Sequence, residues 1–232
     1  IGMSGSGFAG GLAIASYEFM SALTLIIVGK FFLPIFIKQG IYTIPEFVEK
    51  RFSTNLKTIL AVFWLALFIF VNLTSILFLG GKAIDTIVGT GDGSLIMPAI
   101  FILAIVAVAY SLYGGLSAVA WTDVIQVILL VLGGVVTTVF ALKAVSPDSS
   151  IVNGISHVTD VAGDKFDMIL SRDNPEYSNL PGIYVLIGGL WVANLYYWGF
   201  NQYIIQRTLA AKSISEAQHG IVFAAFLKML IP

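Results

Sequence analysis

Apolar residues in this chain fall in long runs rather than in alternation, and polar residues gather in short blocks between them. Runs at 12–36, 59–79, 95–113, 119–142 and 180–205 are each near the ~20 residues a helix needs to cross ~30 Å of hydrocarbon. A further run opens at 220–231. The pattern predicts membrane-crossing helices joined by polar connections. Those connections are a Gly/Ser-rich start at 2–11, a polar stretch at 38–57, a loop at 80–94 carrying Lys82, Asp85 and Asp92, a tight turn at 114–117, an acidic region at 144–179, and a basic link at 207–219.

Within the first polar stretch, Thr43-Ile44-Pro45-Glu46 reads as a helix start. Thr43 can cap, Pro45 is tolerated in a first turn, and Glu46 sits where a capping box needs it. A surface helix should follow through Arg51 and feed the run at 59–79. Lys and Arg concentrate in short connections on the cytoplasmic side of membrane proteins. Lys38, Lys50, Arg51 and Lys57 therefore place one connection in the cytoplasm, and Arg207 and Lys212 another. The acidic region 144–179 then lies outside.

Composition agrees with this class. Apolar residues make up 58% of the chain and charged residues 11%, against about 25% charged in an ordinary soluble domain. The net charge of −1 and the lack of a basic cluster argue against a nucleic-acid partner. With no cysteine, disulfides and thiolate metal sites are excluded. The chain starts at Ile1-Gly2-Met3 and stops at Pro232 within an apolar run, so it reads as an internal piece of a longer protein.

The run at 180–205 carries the most information. Its interior holds Asn194-Leu195-Tyr196-Tyr197-Trp198-Gly199-Phe200-Asn201-Gln202-Tyr203. Such groups are costly at membrane depth unless they face a protein interior or an aqueous path. They point to a transporter with a site offering both hydrogen bonds and aromatic faces. Asn194, Tyr197 and Trp198 fall at i, i+3 and i+4, on one helix face. Glu18 and Ser21 also share a face, within the run at 12–36. Lys228 has apolar neighbours on both sides and either partners a buried carboxylate such as Glu18 or donates to a ligand. Asp123 is either a first-turn acid favoured by the helix dipole or a step on an ion path. Gly5-Ser6-Gly7-Phe8-Ala9-Gly10 spells G-x-G-x-x-G without the strand a dinucleotide site needs. Close helix packing through Gly7 and Gly11 is the better account. Asn72-Leu73-Thr74 spells a glycosylation sequon inside a span, and His157 and His219 stand alone in predicted loops, so no metal site is expected. The chain shows no nucleophile–base pair or phosphate loop, and an enzyme is not expected.

Three motifs in order carry a family resemblance. Tyr110-Ser111-Leu112-Tyr113-Gly114-Gly115-Leu116-Ser117-Ala118 resembles the signature of the sodium/solute symporter family. Gly40-Ile41-Tyr42-Thr43-Ile44-Pro45-Glu46-Phe47, with Arg51-Phe52, resembles the segment before that family's third core helix. Asn194-Leu195-Tyr196-Tyr197-Trp198, with Gln202 and Ile205-Gln206-Arg207, is similar to its sodium/sugar cotransporter branch, especially to bacterial sodium/galactose transporters.

The resemblance implies an all-α integral membrane protein of the leucine-transporter-like inverted-repeat fold, with core helices one and six broken at the site. On that mapping the chain is one partial transport domain, running from the end of core helix one to the start of core helix seven. Residues 1–143 are most of the first repeat, 144–179 an extracellular loop, and 180–232 the start of the second repeat. The resemblance implies sodium-coupled symport of a galactose- or glucose-like sugar by alternating access. Glu18, Ser21, Asn194 and Lys228 would bind the sugar. Tyr197 and Trp198 would form the gate, with Asn194 holding the Tyr197 hydroxyl, and Asp123 would lie on the ion path. The sodium ligands would fall mostly outside this chain. Expected partners are the sugar, Na⁺ and the lipid bilayer, and the expected location is the bacterial inner (plasma) membrane in multi-pass form. The alternatives are a symporter of another polar solute (inositol, an amino acid, a vitamin) or a non-transporting sugar sensor on the same fold.

Overall fold

The computed structural model describes residues 2–180 and 182–231. All regular structure among them is helical. Helix α1 is Gly2–Gly10, and α2 is Ala13–Lys38 with a π turn at Val28–Phe32. The surface helix α3 is Ile44–Arg51, and α4 is Thr54–Ile87 with a π turn at Phe68–Leu73. Helix α5 is Ile96–Val145, and α6 is Ile151–Val161. Short pieces follow: α7 (Ile183–Ile187), α8 (Leu190–Leu195) running into a π turn at Tyr196–Phe200, and α9 (Gln202–Leu209). Helix α10 is Ile214–Leu230.

Helices α2, α4 and α5 are each long and apolar enough to cross a membrane. Their outer faces are oily: Phe70 is 76% exposed and Leu130 66% exposed. Such faces suit lipid, where a helix satisfies its own backbone polar groups. At about 1.5 Å per residue, the 50 residues of α5 would reach more than twice the hydrocarbon thickness. Gly115 resolves this. Its φ of 56° and ψ of −152° break the helix, in backbone space essentially reserved for glycine. The expected turn at 114–117 is thus a sharp corner at one residue.

The chain forms two compact units, one from residues up to Ile44 together with those from Ile128 onward, the other from Pro45–Val127. In the first unit α2 packs on α10, and Thr24, Val28, Leu33 and Phe36 are fully buried. A Cβ on Gly29 would come within 2.9 Å of Ile221 Cγ2, so only glycine permits this approach. The Gly29 carbonyl, inside the first π turn, accepts from Gln218 Nε2 at 3.0 Å. The π turn at 196–200 lies against the π turn of α2. Gly199 faces Val28, and Phe200 meets Phe32 and Phe36 edge-on at 5.4 and 5.9 Å between centroids.

In the second unit, Ser53 caps α4 by accepting from the Leu56 N–H at 3.2 Å. Lys57 Nζ pairs with Glu49 at 2.6 Å across the α3–α4 corner, and this hydrogen bond holds the Glu49 carboxyl below the usual carboxylate range. Helix α3 starts at Ile44 with Pro45 and Glu46 in its first turn, as its sequence predicts.

Several sequence expectations need correction. The loop placed at 80–94 is largely helix, because α4 continues to Ile87. Buried Asp85 accepts from the N–H groups of Gly93 and Leu95 at 2.9 and 3.0 Å, which closes the short loop that follows. Helix α10 starts at Ile214, ahead of the apolar run, because Ser213 caps it through the Glu216 N–H. His157 and His219 accordingly sit on helices and not in loops. Gly7 does not serve close packing, since a Cβ there would meet nothing. Gly11 does: its φ is +68°, and a Cβ would run into the Lys165 carbonyl. The run at 180–205, by contrast, is broken, as the family resemblance implies for that helix. It breaks at Gly188 (φ −98°, ψ −115°) and again at extended Asn201.

Candidate functional site

The broken segment faces α2 and α10 across a cavity of about 380 Å³. Ile14, Tyr17, Glu18 and Ser21 line it from α2, at helical spacings of three and four. Asn194 lines it from α8, Tyr197 and Trp198 from the π turn, and Lys228 from α10. Six of the seven residues singled out in the sequence therefore meet at one place. Asp123 is not among the lining residues. It sits in α5 past the Gly115 corner, about two turns into that arm, so it is not a first-turn acid.

Each polar group can be followed to its partners. Lys228 Nζ donates to Glu18 Oε2, and both side chains are mostly buried. The same ammonium lies 4.9 Å from the Trp198 ring centroid, a cation–π distance. Ser21 Oγ donates to Asn194 Oδ1 at 2.8 Å, and Trp198 Nε1 donates to the same oxygen at 3.2 Å. The Tyr197 and Trp198 rings meet edge to face, 4.9 Å between centroids.

This corrects the expectation that Asn194 holds the Tyr197 hydroxyl. The helix widens into a π turn at Tyr196. A wider turn puts residue i+4, not i+3, over residue i, so Trp198 takes the Asn194 oxygen.

Two residues that line this cavity carry unpartnered polar atoms: Asn194 Nδ2 and the Tyr17 hydroxyl are buried without a hydrogen-bond partner. Leaving a buried polar group unsatisfied costs about 1–3 kcal/mol. A ligand rich in hydroxyls would relieve that cost, since an amide N–H donates and a phenol both donates and accepts. Tyr17 went unremarked in the sequence reading. The signal was present, because it precedes Ser21 by one helical step of four on the face that already held Glu18. Among the described residues, no three His, Asp or Glu side chains gather closely enough to hold a metal ion.

Chemically, the site offers a carboxylate, an ammonium, an amide, three hydroxyl-bearing side chains and an aromatic wall. This suits a small polar ligand with several hydroxyls and a flat apolar face.

Known proteins with similar sequences agree. A sodium/glucose cotransporter of Vibrio parahaemolyticus is 68% identical over the whole of this chain, which covers 42% of that protein. The uncharacterized symporter YidK of Escherichia coli is 35% identical, again over the whole chain and 41% of the relative. Sodium/glucose cotransporter 1 of Ovis aries is 33% identical over 99% of the chain and 36% of the relative. The chain thus spans well under half the length of these relatives. The profile of the sodium:solute symporter family matches residues 1–232, and the chain is an integral membrane member of that family.

Proposed function

We propose that this chain carries most of the sugar site of a sodium-coupled sugar symporter working by alternating access. The observation that carries the reading is one cavity lined by the Glu18–Lys228 pair together with Asn194 and Tyr17, whose Nδ2 and hydroxyl are buried without partners. In this reading Glu18, Ser21, Asn194 and Lys228 bind the hydroxyls of a galactose- or glucose-like sugar. The Tyr197 ring forms the cytoplasmic floor, with Trp198 beside it. Relatives named as sodium/glucose cotransporters support a sugar over other polar solutes.

The coupling ion is Na⁺, with its ligands mostly outside this chain, and Asp123 is a waypoint for its exit. The architecture is a partial leucine-transporter-like repeat. In it α1 ends core helix one, α7 to α9 form broken core helix six, and α10 opens core helix seven. The acidic region 144–179 is extracellular, and the protein resides in a bacterial inner membrane. Coupling requires that ion and sugar each bind one conformation better than the other. The test is uptake of labelled galactose and glucose by the full-length protein in vesicles. Accumulation under an inward Na⁺ gradient, and none under a K⁺ or proton gradient, is expected. Equal uptake under all gradients would remove sodium coupling.

A further inference from the structure

Residues 163–180 run across the corner between α1 and α2, on the same face that bears Ile14 and Tyr17 of the cavity. The fastening is specific. The Leu12 N–H donates to the Lys165 carbonyl at 2.7 Å, and Lys165 Nζ donates to the Ala9 carbonyl. Only glycine fits at position 11 beneath that carbonyl. Leu170 and Leu180 then bury themselves with Ala13, and Ile14, Tyr17 and Tyr177 pack around this small cluster. Two members of the cluster, Ile14 and Tyr17, also line the cavity. The segment therefore backs one wall of the site.

The fastening is also sparse. Both clamp bonds come from one exposed lysine, and most residues between Ser171 and Asn179 are exposed or half-exposed. Gly182 follows with φ +61°, where a Cβ would lie 3.0 Å from the Leu170 carbonyl, and this bend fixes the far end. Segments with few buried apolar contacts open at lower free energy than the core they cover.

We propose that residues 163–180 are a strap that must leave the α1–α2 corner for the site to open on that side, and that reseating it closes the site over the sugar. The inference rests on the symport reading above and adds a moving part to it. Seated, the strap holds Tyr17 and Ile14 against the cavity. Released, it frees the corner at Gly11 and exposes Leu170.

The chain has no cysteine to interfere with a cross-link. A Cβ placed on Gly10 would lie 3.9 Å from Glu176 Cβ, within the spacing a disulfide requires. The experiment is Gly10→Cys/Glu176→Cys in the full-length protein, with any cysteines elsewhere replaced, reconstituted in vesicles. Oxidation should form the disulfide and cut sodium-driven sugar uptake at least tenfold, and reduction should restore it. Full uptake with the disulfide in place would overturn the strap, as would failure of the pair to cross-link. A second variant guards against a cross-link that simply damages folding. In Leu170→Cys, maleimide labelling should rise in Na⁺ alone and fall when sugar is added; labelling indifferent to both would also overturn it. Lack of uptake by the unmodified protein would sink the symport reading. Uptake that is present but insensitive to the cross-link would sink only the strap.

Discussion

Ser21 and Asn194 lie far apart in the chain, yet the Ser21 hydroxyl donates to the Asn194 side-chain oxygen at 2.8 Å. That bond joins α2 to the broken segment and turns the Asn194 amide so that its Nδ2 stays buried and free. Trp198 reinforces the same orientation from one turn on.

Glu18 and Lys228 should separate a ligand role from a structural one. Removing one member of a mostly buried ion pair strands the other, and losses of about 3–5 kcal/mol are usual for such changes. Glu18→Ala and Lys228→Ala should each lower thermal stability and weaken sugar binding at least tenfold. The double substitution should recover much of the stability and none of the binding. Melting curves and sugar titrations on the same samples check this. Recovery of both together would leave the pair a purely structural role.

Tyr197 should act through its ring. Its hydroxyl is not held by Asn194, whose oxygen already accepts from Ser21 and Trp198. Tyr197→Phe keeps the edge-to-face contact with Trp198 and should retain most uptake. Tyr197→Ala removes the floor and should lower uptake at least tenfold, with membrane insertion intact. The reverse order in a vesicle uptake assay would show that the hydroxyl is what matters.

Asp148 predicts a local pH response in the acidic region. Its carboxylate accepts from Ser146 Oγ at 2.5 Å, from the Ser150 N–H at 3.1 Å and from Asn153 Nδ2 at 2.6 Å, at the start of α6. The Ser146 hydrogen bond, with the others, lowers its pKa below the ordinary carboxylate value. A depressed folded pKa gives stability that is present above the unfolded value of about 3.9 and lost as pH falls through the folded one. Amide exchange across 151–161 should therefore be slow at pH 6 and gain relative to intrinsic rates below about pH 4. Asp148→Asn should weaken protection already at pH 6. Protection unchanged by either would mean that the Asp148 hydrogen bonds do not hold the start of α6.

The membrane class and the two polar faces were legible because each follows from local spacing. Glu18 with Ser21, and Asn194 with Trp198, are steps of one helical turn, and a polar face inside an apolar run stands out against lipid. The helix start at Ile44 was equally local, since Pro45 and Glu46 fall in its first turn. The π turns at Val28–Phe32, Phe68–Leu73 and Tyr196–Phe200 were not legible, because nothing in the 3.6-residue period marks a widened turn. The pairing of Asn194 with Tyr197 came from the family resemblance, whereas the Asn194 oxygen accepts from Ser21 and Trp198. The extent of α4 was missed for another reason. Asp85 reads as a loop residue until its carboxylate is seen to bind the N–H groups of Gly93 and Leu95. The work of Gly11 depends on Lys165, and no local pattern connects those two.

Asn194 carries the central claim, because it is bonded within the site and is also left with a free donor there. The decisive measurement is equilibrium binding of labelled galactose and glucose to the purified full-length protein, in Na⁺ and in K⁺, for the unmodified protein and Asn194→Ala. The account predicts saturable binding that needs Na⁺. It also predicts at least a tenfold loss of affinity in Asn194→Ala, the size expected from removing donors to the ligand together with the partner of Ser21 and Trp198. Unchanged affinity in a folded Asn194→Ala protein would place the sugar elsewhere and contradict the account.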